Sequence, residues 1–149
     1  MADPWERINL RPTDHGVKRY WQDWEWGLDE TLRDNPESAG RLRGLMTKAV
    51  ASMLRAALNH SDAARIHWQR VAQNHRERWA QGDLDGIVPV LSDLVSWLRS
   101  AGMDPARNAD VAALLNDPCV ARILKRMPAI EYDPNFLYMF RRLADAVGR

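Results

Sequence analysis

Apolar residues recur at three- and four-residue intervals through most of the chain, and this spacing limits the available folds more than any other feature. In the first third, five of them follow the i, i+4, i+7, i+11 spacing of one helix face, namely Val17, Trp21, Trp24, Leu28 and Leu32. No stretch alternates apolar and polar residues with a period of two over a useful length, as half-buried strands do. The pattern therefore predicts an all-α protein.

Capping residues and prolines divide this pattern into about six or seven helices. We predict that these helices form a single-domain bundle. Asn35 or Ser38 can cap the second helix, with Pro36 in its first turn. Three later starts repeat an Asp N-cap before a proline, at Asp104-Pro105, Asp117-Pro118 and Asp133-Pro134. The predicted bounds are Asp14 to about Asn35, Ser38 to about Asn59, Ser61 to Gly82, Asp83 or Asp85 to Gly102, 105–116, 118–127 and 134–147.

A length of 149 residues, with 46% apolar and 28% charged side chains, is typical of one globular domain. We predict an extended N-terminal arm over 1–15, where Pro4 and Pro12 interrupt any period, and a helical bundle domain over 16–149. The chain has no apolar run of membrane-spanning length and no signal-peptide pattern at its start, so we expect a cytoplasmic protein without a membrane partner. The lone Cys119 lies among apolar residues and should be a small buried side chain.

The helix predicted after Asp83 is apolar on two sides. One stripe holds Leu84, Val88, Leu91, Val95 and Leu98, and another holds Val90, Leu94 and Trp97. Such a helix is either central to a bundle or covered by a partner subunit, so a homo-oligomer is one prediction.

The charge is unevenly distributed although its total is only +1. Residues 38–79 contain eight basic and two acidic residues, a formal charge of +6, whereas residues 1–37 contain five basic and nine acidic ones, a charge of −4. The predicted second helix places Arg41, Lys48 and Arg55 along one side. The predicted third helix carries Arg65, Arg70, Arg76 and Arg78. No acidic residue occurs from Ser38 to Ser61, so the usual i, i+4 carboxylate partners are missing.

Two interpretations of this basic stretch stay open. Its residues can form a solvated face, or pair within the fold or between subunits with the acidic first helix. Alternatively, the seven basic side chains on the two helices contact a phosphate backbone without reading bases. The total of +1 argues against an autonomous, tight DNA-binding protein, but not against a subunit that partner proteins hold beside nucleic acid.

The seven tryptophans have two interpretations, core packing and surface recognition. Packing is favoured for Trp21, Trp24, Trp68 and Trp97, which lie on or beside the apolar stripes. Three aromatic residues are candidates for partner binding: Tyr20, Trp26 and Trp79. An exposed indole near arginines can stack a nucleobase or mark a protein interface.

Catalytic and cofactor signatures are absent from the sequence. The four histidines, His15, His60, His67 and His75, include no i, i+4 pair and no His-Glu-x-x-His pattern. The chain also lacks a phosphate-binding loop, a dinucleotide fingerprint and a nucleophile elbow. We therefore predict a protein that is not an enzyme and that has no catalytic residues, metal site or cofactor.

Helical content, size and the rows of basic residues from Arg41 to Arg78 resemble the small helical subunits of CRISPR effector complexes. The resemblance implies an all-α fold without a catalytic site. It also implies a basic surface that supports the guide RNA duplex or the displaced strand, in a complex of antiviral defence. From the residues and the resemblance together, we expect a non-enzymatic accessory subunit of a nucleoprotein assembly. The alternative is a small helical protein-binding module or inhibitor that docks through aromatic and basic surface residues.

Overall fold

Helices make up almost all of the computed structural model, which describes residues 15–80, 84–124 and 133–148. No strand occurs in those three ranges. The predicted all-α class and single-domain bundle of about six or seven helices are confirmed for them. The helices are α1 (His15–Asp34), α2 (Glu37–Leu58), α3 (Asp62–Ala80), α4 (Leu84–Ser100), a 3-10 helix (Pro105–Arg107), α5 (Ala109–Leu115), α6 (Pro118–Leu124) and α7 (Asp133–Val147). The predicted arm lies outside the described residues except for His15, which begins α1.

Several predicted helix ends are confirmed by their capping bonds. The Ser61 hydroxyl accepts a hydrogen bond from the backbone N–H of Ala64 at 3.1 Å, as an N-cap of α3 should. The Asp117 carboxylate accepts one from the N–H of Cys119 at 3.0 Å at the start of α6. Gly102 follows α4 with a φ of +81°, a conformation that glycine adopts without steric cost. Its N–H and that of Met103 donate to the carbonyls of Arg99 and Leu98, which closes α4 in a Schellman motif.

Two predicted starts are wrong. Neither Asn35 nor Ser38 caps α2 through its side chain. Pro36 occupies the N-cap position in a right-handed helical conformation, which lacks the extended backbone that a side-chain cap requires. The Asp104-Pro105 pair starts only the 3-10 helix, and the side chain of Asn108 caps α5 by accepting from the N–H groups of Asp110 and Val111. The predicted helix over 105–116 is therefore two shorter helices.

Helix α2 lies at the centre of the bundle. Its buried stripe includes Leu42, Met46, Ala49, Met53 and Ala57, each with no exposed area. Helices α1, α3, α4, α5 and α7 all contact α2. The i, i+4, i+7, i+11, i+15 spacing keeps that stripe on one face of α2 along its length. Several helices can therefore pack against it.

The described residues of the two apolar stripes of α4 are buried or half-buried within this chain. Leu91, Leu94, Val95 and Leu98 are at most 2% exposed, and α4 packs on α7, α2 and α3. Of the two predicted possibilities, a central position in the bundle or cover by a partner subunit, the structure shows the central position. Cys119 is buried as predicted.

Replacing Leu94 by Ala should lower the free energy of unfolding by about 2–5 kcal/mol, because it leaves a cavity between packed helices. Ile66 is an aliphatic side chain that is 62% exposed on α3, and it provides a control. Ile66→Ala should change the free energy of unfolding by less than about 0.5 kcal/mol. Urea unfolding followed by circular dichroism measures both, and equal losses would contradict the described core.

Candidate nucleic-acid interface

The seven basic residues predicted to contact phosphates lie on two adjacent helices, and all seven are exposed. Arg41, Lys48 and Arg55 are on α2, and the other four are on α3: Arg65, Arg70, Arg76 and Arg78. Helices α2 and α3 pack against each other, and a short connection, Asn59–Ser61, joins them. The structure thus brings the predicted set to one pair of helices, but it places individual members in different surroundings.

Arg41 is tied to a buried carboxylate of the same chain. Its Nε donates to Oδ2 of Asp117 at 2.7 Å and its Nη2 donates to Oδ1 at 3.2 Å, and the Asp117 side chain is only 3% exposed. The hydrogen bond to Asp117 raises the pKa of Arg41. Because this bidentate pair occupies two of its donors, Arg41 joins the start of α2 to the start of α6, and we leave it out of the candidate surface.

Arg65 and Arg43 also have partners within the fold. Arg65 forms an i, i+3 salt bridge of 2.8 Å with Asp62, in which both side chains are more than half exposed. Such a pair contributes little to stability and can exchange for another anion. Arg43, which belongs to the basic stretch but not to the predicted set, donates to the carbonyl of Val147 at the end of α7.

Four residues of the predicted set, Lys48, Arg55, Arg70 and Arg76, are exposed and form no salt bridge with any described residue. Lys48 and Arg55 lie opposite the buried stripe of α2 and two helical turns apart, or about 10 Å along the axis. Nothing lies within 4 Å of the position that a side chain would take at Gly44, one turn before Lys48. These four cations are the candidate surface.

The described acidic side chains of α1 do not pair with this surface. Among the described side chains, no salt bridge joins α1 to the basic residues of α2 or α3. Glu25 of α1 instead accepts hydrogen bonds from Nε and Nη2 of Arg142, both at 2.7 Å, and from the hydroxyl of Tyr138 at 2.8 Å. The predicted pairing between the acidic helix and the basic stretch is therefore not found in the described residues. α7 supplies the cation for Glu25.

The three aromatic residues predicted to bind a partner have different outcomes. Trp26 is 82% exposed, the most exposed large apolar side chain in the described part of the chain. The side chains of Tyr20 and Trp79 lie outside the described residues. Of the tryptophans predicted to pack, Trp24 and Trp68 are buried and Trp97 packs on the core, with Trp68 and His60 at its ring edges. Trp21 also lies outside the described side chains.

Within the described residues, no three His, Cys, Asp or Glu side chains gather in a way that could hold a metal ion. His60 packs edge-on against Trp97, and His67 packs edge-on against Trp68. No helix in the described ranges has the length and apolar character needed to cross a bilayer.

Comparisons with protein-family models, with characterised proteins and with solved structures find nothing that matches this chain.

The sequence did not predict either of the ion pairs that join helices distant along the chain. Asp117 was recognised as a helix cap, but nothing near it indicates a partner 76 residues earlier in the chain. The pair of Glu25 and Arg142 joins positions 117 residues apart. Local spacing identifies cations without i, i+4 partners, but it cannot identify partners that approach from another helix.

Arg41→Ala should lower the free energy of unfolding by about 1–3 kcal/mol, because it leaves the buried Asp117 carboxylate without its cation. Lys48→Ala removes an exposed, unpaired cation from the same helix and should change it by less than about 0.5 kcal/mol. Chemical denaturation of the two variants distinguishes a structural arginine from a surface lysine. Equal effects would contradict this assignment.

Burial, together with the hydrogen bond to Glu25, raises the pKa of Tyr138 from 10.0 to about 12. The folded state therefore favours the neutral phenol. The stability from this preference is fully present below a pH of about 10 and is lost as the pH rises towards about 12. The free energy of unfolding should fall more steeply over this interval in the wild type than in Tyr138→Phe. The difference between the two curves isolates Tyr138 from other alkaline titrations, and parallel curves would refute the shift.

Proposed function

We propose that this protein is a non-enzymatic helical accessory subunit of a nucleoprotein assembly, which contacts a phosphate backbone through Lys48, Arg55, Arg70 and Arg76. The observation that carries the proposal is that these four exposed cations have no acidic partner among the described residues. Lysine and arginine side chains without an acidic partner attract phosphates, and their binding releases the counterions condensed on the nucleic acid. Phosphate contacts position a protein on nucleic acid without reading its sequence.

The small net charge supports a subunit rather than a free-standing binding protein. A total of +1 gives little long-range attraction, so the isolated chain should bind nucleic acid weakly and with a strong dependence on salt. Partner proteins that hold the chain in place would raise the local concentration of nucleic acid at α2 and α3. The particular assembly that we propose is a CRISPR-type effector complex, on the resemblance of helical content and basic rows. Neighbouring genes that encode the backbone-forming subunits of a guide complex would support it.

The double variant Lys48→Glu/Arg55→Glu should weaken binding to single-stranded or duplex RNA and DNA by about tenfold at low salt. It should also reduce the slope of log K against log salt by about 2, because two phosphate contacts are lost. Fluorescence anisotropy with labelled oligonucleotides over a salt series measures both quantities.

The matched control is Arg33→Glu/Arg107→Glu, which makes the same change in net charge at exposed positions outside α2 and α3. If both double variants reduce the affinity and the salt slope equally, binding depends on net charge alone and the proposed surface is wrong. Retention of wild-type binding by Lys48→Glu/Arg55→Glu would also refute it.

A second candidate function is a protein-binding module, and the exposure of Trp26 is the observation that favours it. Tryptophan is among the residues most enriched at the energetic centres of protein interfaces. Association that survives nuclease treatment and is lost in Trp26→Ala would favour this module over the nucleic-acid subunit.

A further inference from the structure

A groove runs between α2 and α3. Its lining combines three half-buried apolar residues with three exposed polar ones, namely Leu54, Leu58, Gln69, Ala72, Gln73 and Arg76. We call this the α2–α3 groove. It has a volume of about 500 Å³ and is open to solvent. Its apolar lining comes from the two leucines on α2 and from Ala72 on α3.

Each of the two helices that form the α2–α3 groove has an arginine in or next to its lining. Arg76 lines the groove from α3, and Arg55, which is not a lining residue, lies one helical turn before the lining residue Leu58 on α2. Both arginines are exposed, and neither forms a salt bridge with a described residue. An apolar floor between two unpaired arginines suits an apolar anchor that is flanked by carboxylates.

The outer face of α1 has this complementary chemistry. Trp26 is 82% exposed, and Asp29 and Glu30 follow it at i+3 and i+4, so the three share one side of the helix. Gln22, one turn earlier, is also exposed. We call these four residues the Trp26 face. Asp29 and Glu30 form no salt bridge with a described residue, in contrast to Glu25 on the same helix.

Trp26 does not occupy the groove of its own chain, since most of its surface is open to solvent. We propose that the Trp26 face of one copy docks into the α2–α3 groove of a second copy. Trp26 packs against Leu54, Leu58 and Ala72. Asp29 and Glu30 meet Arg55 and Arg76, so opposite charges flank a desolvated aromatic anchor.

The two surfaces are different patches of one molecule, so the contact is heterologous and leaves a free patch at each end of every pair. Repetition of such a contact produces a ring if the rotation closes, and an open chain of subunits if it does not. Because the contact centres on a single aromatic anchor, we expect a weak association with a dissociation constant in about the micromolar range. The Trp26 face contains none of the four proposed phosphate-binding residues, whereas the groove side of the contact includes two of them, Arg55 and Arg76. A variant at Trp26 therefore separates the contact from phosphate binding.

Sedimentation velocity of the purified protein, free of nucleic acid, tests this proposal over a range of concentrations. The wild type should increase in weight-average mass with concentration and pass beyond the dimer. Trp26→Ala, which lacks the anchor, and Arg55→Glu/Arg76→Glu, which makes the rim acidic, should each weaken association by more than about tenfold. The matched control is Lys48→Glu/Arg70→Glu, which has the same charge change on the same two helices but leaves Arg76 of the groove lining and Arg55 beside Leu58 unchanged, and it should still associate.

A mixture of the two defective variants distinguishes this contact from any symmetric one. Trp26→Ala retains an intact groove, and Arg55→Glu/Arg76→Glu retains an intact Trp26 face. An equimolar mixture should therefore form a heterodimer and stop there, because the second contact would need both altered surfaces. Far-ultraviolet circular dichroism establishes that each variant is folded.

Three results would overturn the proposal: a wild type that stays monomeric at all concentrations, association that either variant leaves unchanged, or a mixture that does not pair. A monomeric wild type would assign the Trp26 face to a different protein. Nucleic-acid affinity provides the independent readout. Trp26→Ala should keep the oligonucleotide affinity of the isolated wild-type chain, whereas Lys48→Glu/Arg70→Glu should lose affinity for oligonucleotides and keep self-association.

Discussion

The rest of the structure depends on the burial of one stripe of α2. The five residues of this stripe, from Leu42 to Ala57, have no exposed area, and five other helices pack against α2. After Leu42 this stripe consists of methionine and alanine, and flexible or small side chains of this kind let several helices approach one axis. Because one side of α2 is fully used in this way, its opposite side has to face solvent. Lys48 and Arg55 lie on that solvent side.

Ion pairs between residues that are distant in sequence then determine which charged side chains remain unpaired. Arg41 and Glu25 belong to the stretches with the strongest local charge, yet each is paired with a residue from the last third of the chain, Asp117 and Arg142. Both pairs are bidentate and join helices that are distant in sequence. They remove one cation from the basic row of α2 and one acid from α1. A uniform patch of positive charge thereby becomes a smaller set of unpaired side chains on α2 and α3.

The proposed phosphate-binding surface and the proposed docking surface share Arg55 and Arg76 but differ in their other residues. Lys48 and Arg70 do not line the α2–α3 groove, whereas Leu54, Leu58 and Ala72 are its apolar lining residues. A subunit that occupied this groove would cover two of the four cations and leave the other two exposed. Association between copies and contact with nucleic acid could therefore compete for Arg55 and Arg76, which makes variants at Lys48, Arg70 and Trp26 the informative ones.

Periodicity and capping residues alone were sufficient to predict the all-α class, most helix bounds, the buried stripes of α2 and α4, and the position of Trp26 off the apolar stripe of α1. These properties depend on residues within a few turns of one another, so the spacing of nearby residues is enough to predict them. The starts at Pro36 and Pro105 were predicted wrongly, because backbone conformation at a short connection depends on how the adjacent helices pack. The partners of Arg41 and Glu25, and the groove beside Ala72, exist only where separate helices meet. The sequence by itself determined which faces are apolar and which are charged, and the tertiary structure decided which charges are neutralised, because an ion pair depends on distance in space and not on separation along the chain.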